Sequence, residues 1–168
     1  MTSAGTSPAD SRIPALGPRG EGWVAIQFLL IGTIVLACWW TGGVWPVSLQ
    51  SVMGVVGSVL LVGGLALLIV AALGLSSSFT VLPRPADHAT LVTTGLYGRI
   101  RNPIYAGLML AMVGASLGSA SLVALVLCAV LAVVLDLKTR REEIFLRERF
   151  PDYQAYAART KRFIPGIY

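Results

Sequence analysis

From Gly22 to Pro83 the chain carries no Asp, Glu, Lys, Arg or His, a gap of 62 residues. A soluble domain must cover itself with charge, and roughly a quarter of its residues are ordinarily charged. Here the charged share is 12%, against 55% hydrophobic. Such a stretch suits only an apolar solvent, so the chain reads as an integral membrane protein built of helices. Its 168 residues are enough for one domain.

The apolar sequence divides into four membrane segments. The first runs from Trp23 to Trp40 and the second over about 48–73, joined by the uncharged, turn-prone link 41–47. Trp39, Trp40 and Trp45 fall where an aromatic belt would meet the headgroups. A further run of 34 residues, Ile104 to Leu137, contains one charge, Asp136. As a single helix it would be about 51 Å long, against a hydrocarbon core of about 30 Å. Small residues from Gly114 to Ser121 supply a reversal near 118–120. The run therefore reads as a hairpin of two helices, about 104–117 and 120–137, the first of them short.

Charge position orients the chain. Arg12 and Arg19 lie in the N-terminal tail, Arg84, Arg99 and Arg101 in the loop 75–103, and eight basic residues follow Leu137. The two remaining links carry no charge, so four crossings put every basic segment on the cytosolic side. The organisation is then a disordered cytosolic tail (1–21), two transmembrane helices (22–74), a cytosolic loop (75–103), a transmembrane hairpin (104–137) and a cytosolic C-terminal helical segment (138–168). That last segment begins as an amphipathic helix over 138–149. Pro151 ends it, Tyr153 and Tyr156 share one face of a second short helix, and residues 162–168 form an apolar strap. The fold class is all-α, a polytopic bundle of about four transmembrane helices.

Several classes of function are excluded. No basic stripe with interleaved aromatics marks a nucleic-acid site. Cys38 and Cys128 lie in apolar runs without metal or disulfide spacing, and His88 is alone in a loop; no metal site is expected. Gly54, Gly57, Gly63, Gly64, Gly107, Gly114 and Gly118 give small-residue spacings for close helix approach, within the chain or in a homo-oligomer.

Two polar constellations stand out. Asn102 precedes Pro103, which disfavours helix at 102 and opens the next helix. Arg101 and Asn102 then sit at a helix N-terminus, favourable for an anion. On the other arm of the hairpin lie Glu142 and Glu143. Glu143 and Arg147 are also spaced as a surface pair, as are Asp136 and Arg140. A hairpin returns to its starting side, so Arg101, Asn102 and Tyr105 would face Glu142 and Glu143. Such a corner offers donors for a carboxylate, carboxylates for an ammonium or ribose hydroxyls, and an aromatic face for a heterocycle.

Gly-Leu-Tyr (95–97), Arg-Asn-Pro-Ile-Tyr-Ala-Gly (101–107), Glu-Glu-x-x-Leu-x-x-x-Phe-x-x-Tyr-x-x-Tyr (142–156) and Arg-Phe-Ile-Pro (162–165) together resemble the isoprenylcysteine carboxyl methyltransferase and phospholipid N-methyltransferase superfamily. The resemblance covers about residues 80–168. It implies a membrane methyltransferase with S-adenosylmethionine as cofactor, bound between the last membrane helices and the C-terminal segment. It also implies a lipophilic small molecule or membrane lipid as acceptor. Arg101, Asn102, Pro103 and Tyr105 match the family's Arg-His-Pro-x-Tyr element, with Asn102 where many members have His; Glu142 and Glu143 match its Glu pair. Pro151 stands where a Gly commonly follows the Phe. On this basis Tyr97, Arg101, Asn102, Tyr105, Gly107, Glu142 and Glu143 are the expected cofactor contacts. Glu143 is the candidate base and Arg149 the candidate partner for an anionic acceptor. A competing reading is a non-enzymatic membrane scaffold or assembly protein whose basic tail binds anionic lipid.

Overall fold

The computed structural model describes residues 14, 16–18, 20–75 and 90–167. Expectations for most of the N-terminal tail, with Arg12 and Arg19, and for Arg84 and His88 lie outside the described residues. The elements are α1 (Glu21–Trp40), α2 (Val47–Leu75), a 3-10 turn (Gly95–Gly98), α3 (Pro103–Gly118), α4 (Leu122–Arg149) and α5 (Tyr153–Arg159). Helices α1, α2 and α4 are long and apolar enough to cross a membrane, and α3 is a shorter apolar helix. The chain is an all-α membrane bundle.

The expected reversal is present, and its residues explain it. Proline at the first position of α3 loses no helical hydrogen bond. After Gly118, Ala120 adopts the left-handed conformation (φ 57°). Ser121 then caps α4, its hydroxyl accepting from the Ala124 N–H at 3.1 Å. The α1–α2 link holds this corner. The Gly43 and Val44 N–H groups donate to the Ser119 and Ala120 carbonyls at 3.0 and 3.1 Å. The Trp45 indole N–H donates to the Leu117 carbonyl at 2.9 Å. Both turns thus lie at one end of the bundle.

Lipid tails are as apolar as leucine, so helices in a bilayer associate through close packing. Here α2 and α3 achieve it with glycine. A Cβ on Gly57 would lie 2.5 Å from the Gly118 nitrogen and 2.6 Å from the Gly114 oxygen. One on Gly107 would lie 2.6 Å from the Leu68 nitrogen. Gly57 and Gly64 on α2, and Gly107 and Gly114 on α3, repeat at seven residues. The two backbones touch along that stripe. Gly54 and Gly63, in the same small-residue pattern, have nothing within 4 Å of a built Cβ. On the other side of α3, Ile34, Ala37, Leu108, Ala124, Cys128, Leu131 and Leu135 join α1, α3 and α4 in one core.

One expectation is corrected. The amphipathic helix expected over 138–149 is not a separate element: α4 runs unbroken from Leu122 to Arg149. Only its surface changes after Leu137, and nothing at that point (no Pro, no Gly) stops a helix. With 28 residues against 16, α4 outruns α3 by about 18 Å. The overhang, beyond the N-terminus of α3, is where the polar residues gather.

Candidate functional site

The two arms of the hairpin meet through two pairs. Arg101 Nε donates to Glu143 Oε1 at 3.0 Å. Tyr105 donates its hydroxyl to Glu142 Oε1 at 2.6 Å. The sequence expectation that these groups share a corner holds.

The C-terminal segment builds the third wall. After α4, Phe150 is extended and Pro151–Asp152 turns the chain into α5. The Tyr153 and Tyr156 rings pack edge to face with centroids 5.8 Å apart. Residues beyond α5 then run alongside the entry to α3. The Arg101 N–H donates to the Lys161 carbonyl at 2.7 Å and the Asn102 N–H to the Arg162 carbonyl at 3.0 Å. Arg101 Nη1 also donates to the carbonyls of Ala157 (2.8 Å) and Thr160. Tyr156 donates to the Tyr97 carbonyl at 2.7 Å, and Tyr97 to the Ala71 carbonyl at 3.2 Å. This chain of bonds ties α5 to the 3-10 turn and to the end of α2. Burial raises all three phenols, Tyr156 to about 12 and Tyr97 and Tyr153 further, so each remains a protonated donor at neutral pH.

Glu142 and Glu143 divide the work. Glu143, with its side chain 2% exposed, is engaged on both oxygens. Besides Arg101, it accepts from Arg162 Nε at 3.1 Å and Nη2 at 3.0 Å, and from Arg147 Nη2 at 3.3 Å. Arg162 also reaches Asp136, its Nη1 lying 3.5 Å from Oδ1. A buried carboxylate held by three guanidinium groups ties together the segments that carry them. In the structure Glu143, read from the sequence as the candidate base, joins Arg101, Arg147 and Arg162.

Glu142 lies on the neighbouring face of α4, 3.9 Å from the Lys138 ammonium. Lys138 is fully buried, donates to Gln27 Oε1 of α1 at 2.6 Å, and lies 5.0 Å from the Tyr105 ring centroid. Gln27, Lys138, Tyr105 and Glu142 thus form a polar corner between α1, α3 and α4. Next to it in sequence, the Thr139 hydroxyl is buried without a hydrogen-bond partner.

Other expected residues fall elsewhere. The side of Gly107 that lacks a Cβ faces the α2 backbone, where it allows close packing. Tyr97 is 7% exposed and braces α2 against α5. Asn102 occupies the N-cap position of α3 without a side-chain cap bond. Arg149 is exposed at the last turn of α4, 5.7 Å from the Phe150 ring and outside the Glu142 and Glu143 pairs. The sequence reading missed Gln27, Lys138 and Arg162 as site members. Gln27 carried a signal, as an amide inside an otherwise apolar span. Among the described residues, no group of three His, Cys, Asp or Glu side chains is placed to hold a metal.

Residues 52–153, more than half of the chain, match the phospholipid methyltransferase family. The chain belongs to that family. The matched range includes the α2–α3 glycine stripe and both glutamates; α1 precedes it and most of α5 follows it. Two curated proteins are also similar. One is the cobalt-zinc-cadmium resistance protein CzcN of Cupriavidus metallidurans, 37% identical over 79 residues. The other is the nickel-cobalt-cadmium resistance protein NccN of Alcaligenes xylosoxydans xylosoxydans, 33% identical over 78 residues. Each match covers 46% of this chain and 37% of the relative's length.

Proposed function

We propose that this member of the phospholipid methyltransferase family moves a methyl group from S-adenosylmethionine to a lipophilic acceptor delivered by the bilayer, at a site facing the cytosol. The observation that carries the reading is the pairing of Tyr105 with Glu142 across the hairpin. It leaves a carboxylate, an aromatic ring and the Lys138 ammonium at one corner, beneath the α4 overhang. The orphaned Thr139 hydroxyl adds a buried polar atom that awaits a partner.

These residues fit the donor in kind. Glu142 would take its ammonium group or ribose hydroxyls, Lys138 its carboxylate, and Tyr105 would offer a ring to its heterocycle. S-adenosylmethionine supplies a methyl group already activated by a sulfonium. The protein's part is to hold both partners in line and exclude water. The Arg101–Glu143–Arg162 clamp contributes indirectly, by fixing the C-terminal segment to the entry of α3. A carboxylate acceptor needs no base. For an amine, thiol or hydroxyl acceptor, Glu142 is the group placed to take the proton, since Glu143 is occupied. The cytosolic assignment rests on the arginine and lysine bias of the segments at this end.

Glu142→Gln keeps the shape and removes the charge. It is expected to weaken S-adenosylmethionine binding at least tenfold by calorimetry, about 1.4 kcal/mol. Affinity equal to wild type would defeat the assignment of Glu142.

A further inference from the structure

At the polar end of the bundle the large apolar side chains are covered, with one exception. Along α4 the last widely exposed one is Val133, and α5 has none. Then Ile164 and Ile167 stand 50% and 75% exposed. They flank a tight turn. Pro165 and Gly166 (φ 77°) occupy its centre, and the Ile167 N–H donates to the Ile164 carbonyl at 3.2 Å. Residues 163–168 carry no charge.

Direction and depth indicate what covers this turn. Ile100 and Lys161 form a parallel bridge. The chain after Lys161 therefore sets out in the same direction as the chain entering α3, from the polar end into the bilayer. Depth follows from helix lengths. α1 and α3 both finish at the reversal end, where the Gly43 N–H meets the Ser119 carbonyl and the exposed Trp39 and Trp40 mark the interface. With 20 residues α1 is about 30 Å long, the thickness of the hydrocarbon core. α3 has 16 residues, so it starts about 6 Å deeper. Lys161 and Arg162 pair with Arg101 and Asn102 at that start. Apolar surface gains by leaving water, and at this level acyl chains are the apolar medium within reach.

We propose that the turn 164–167 is a membrane-inserting wedge, its two isoleucines lodged among the acyl chains of the leaflet at the polar end. It lies at the boundary of headgroups and chains, the depth at which amphipathic segments settle. Its backbone suits that position: Pro165 has no N–H to satisfy, and that of Ile167 is bonded. The bilayer then anchors the C-terminal segment in addition to the pairing of Arg162 with Glu143. The inference rests on the membrane placement of α1 and α3 and is independent of the methyl-donor reading.

The test uses the full chain in phosphatidylcholine nanodiscs, which leave both faces of the bilayer open to reagents. Single cysteines are placed at Ile164→Cys and Ile167→Cys, both exposed positions that packing does not constrain. Glu148→Cys, exposed on the overhang of α4, is the water-facing reference. Native Cys38 and Cys128 lie on α1 and α4 in the apolar core, and wild type gives the blank. A charged maleimide should modify Glu148→Cys at least tenfold faster than either isoleucine position. A bimane group, attached to Ile167→Cys in detergent before reconstitution, should be quenched by a nitroxide near the top of the acyl chain and not by aqueous iodide. Replacing the phosphatidylcholine by a galactolipid should change neither result, because the contact is with chains and not with headgroups. Equal modification rates at all three positions, or quenching by iodide, overturn the proposal. Slow modification without nitroxide quenching also overturns it and assigns the turn to a protein partner such as a second copy. Loss of protection in the galactolipid overturns it in favour of a phosphate headgroup.

Discussion

Glu143→Ala should detach the C-terminal segment from the bundle. The substitution leaves Arg101 and Arg162, 12% and 19% exposed, facing each other without the carboxylate that joins them. Breaking a buried ion cluster from one side costs about 3–5 kcal/mol, because the remaining charges stay desolvated. Arg101 keeps its carbonyl partners, so the lower end of that range is expected. Two measurements check it. The melting midpoint in detergent should fall, and limited proteolysis should cut between 150 and 167 under conditions that leave the wild type intact. Far-ultraviolet circular dichroism should stay close to wild type before melting, because α1 to α4 do not depend on the clamp. Glu143→Gln should cost nearly as much, since shape without charge does not hold three guanidinium groups. Arg147→Ala is the control. Arg147 is 45% exposed and makes an ordinary one-turn pair, so its loss should cost about 1 kcal/mol or less. A Glu143→Ala protein that resists protease like wild type would remove the clamp from the account of this site.

Gly64→Ala is expected to be among the most damaging single methyl groups in the membrane region. The added Cβ would meet the Ala111 backbone nitrogen and lie 2.7 Å from the Gly107 oxygen. Neither is a side chain that can swing aside, so α2 and α3 must separate along the whole glycine stripe. Overpacking of this kind costs about 1–3 kcal/mol, and here it acts where the α2 and α3 backbones touch. Its neighbour supplies the comparison. Gly63 meets nothing within 4 Å, and alanine there should be neutral or stabilising by up to about 1 kcal/mol through helix propensity. The expected result is a large gap between the melting midpoints of two variants that differ by one position. Equal midpoints would mean that α2 and α3 do not pack as described.

The meeting of Arg101 and Tyr105 with the Glu pair was legible in the sequence because it depends on length. A run of 34 apolar residues is too long for one crossing, and a small-residue stretch near its middle gives the place to turn. Once the chain turns, the start of the first arm and the far part of the second come to the same end of the bundle. What each glutamate does was not legible. Glu142 and Glu143 are adjacent in sequence but about 100° apart around the helix. The rotation of α4 is fixed by the core that Cys128, Leu131 and Leu135 form with Ile34, not by the glutamates themselves. The packing role of Gly107 was hidden for a similar reason. It belongs to the motif that carries Tyr105, while its closest contacts, Gly64 and Leu68, lie some 40 residues away on α2. The pairing of Ile100 with Lys161 gave no local signal at all: a single backbone bridge has no strand periodicity to read.

Composition and spacing alone determined that this chain lives in a bilayer as helices, that its last long apolar run is a hairpin, and that its polar residues collect at one end. These follow from solvent and geometry: a charge-free run must avoid water, and a helix rises by a fixed step. Only the tertiary structure decided which carboxylate is clamped and which faces the polar corner, that α1 reaches that corner through Gln27, and that the C-terminal segment is tied to the entry of α3. Those outcomes depend on how each helix is rotated about its own axis. In a membrane that rotation is set by the fit of glycines and branched side chains on neighbouring helices, a property of pairs of segments that neither segment carries alone.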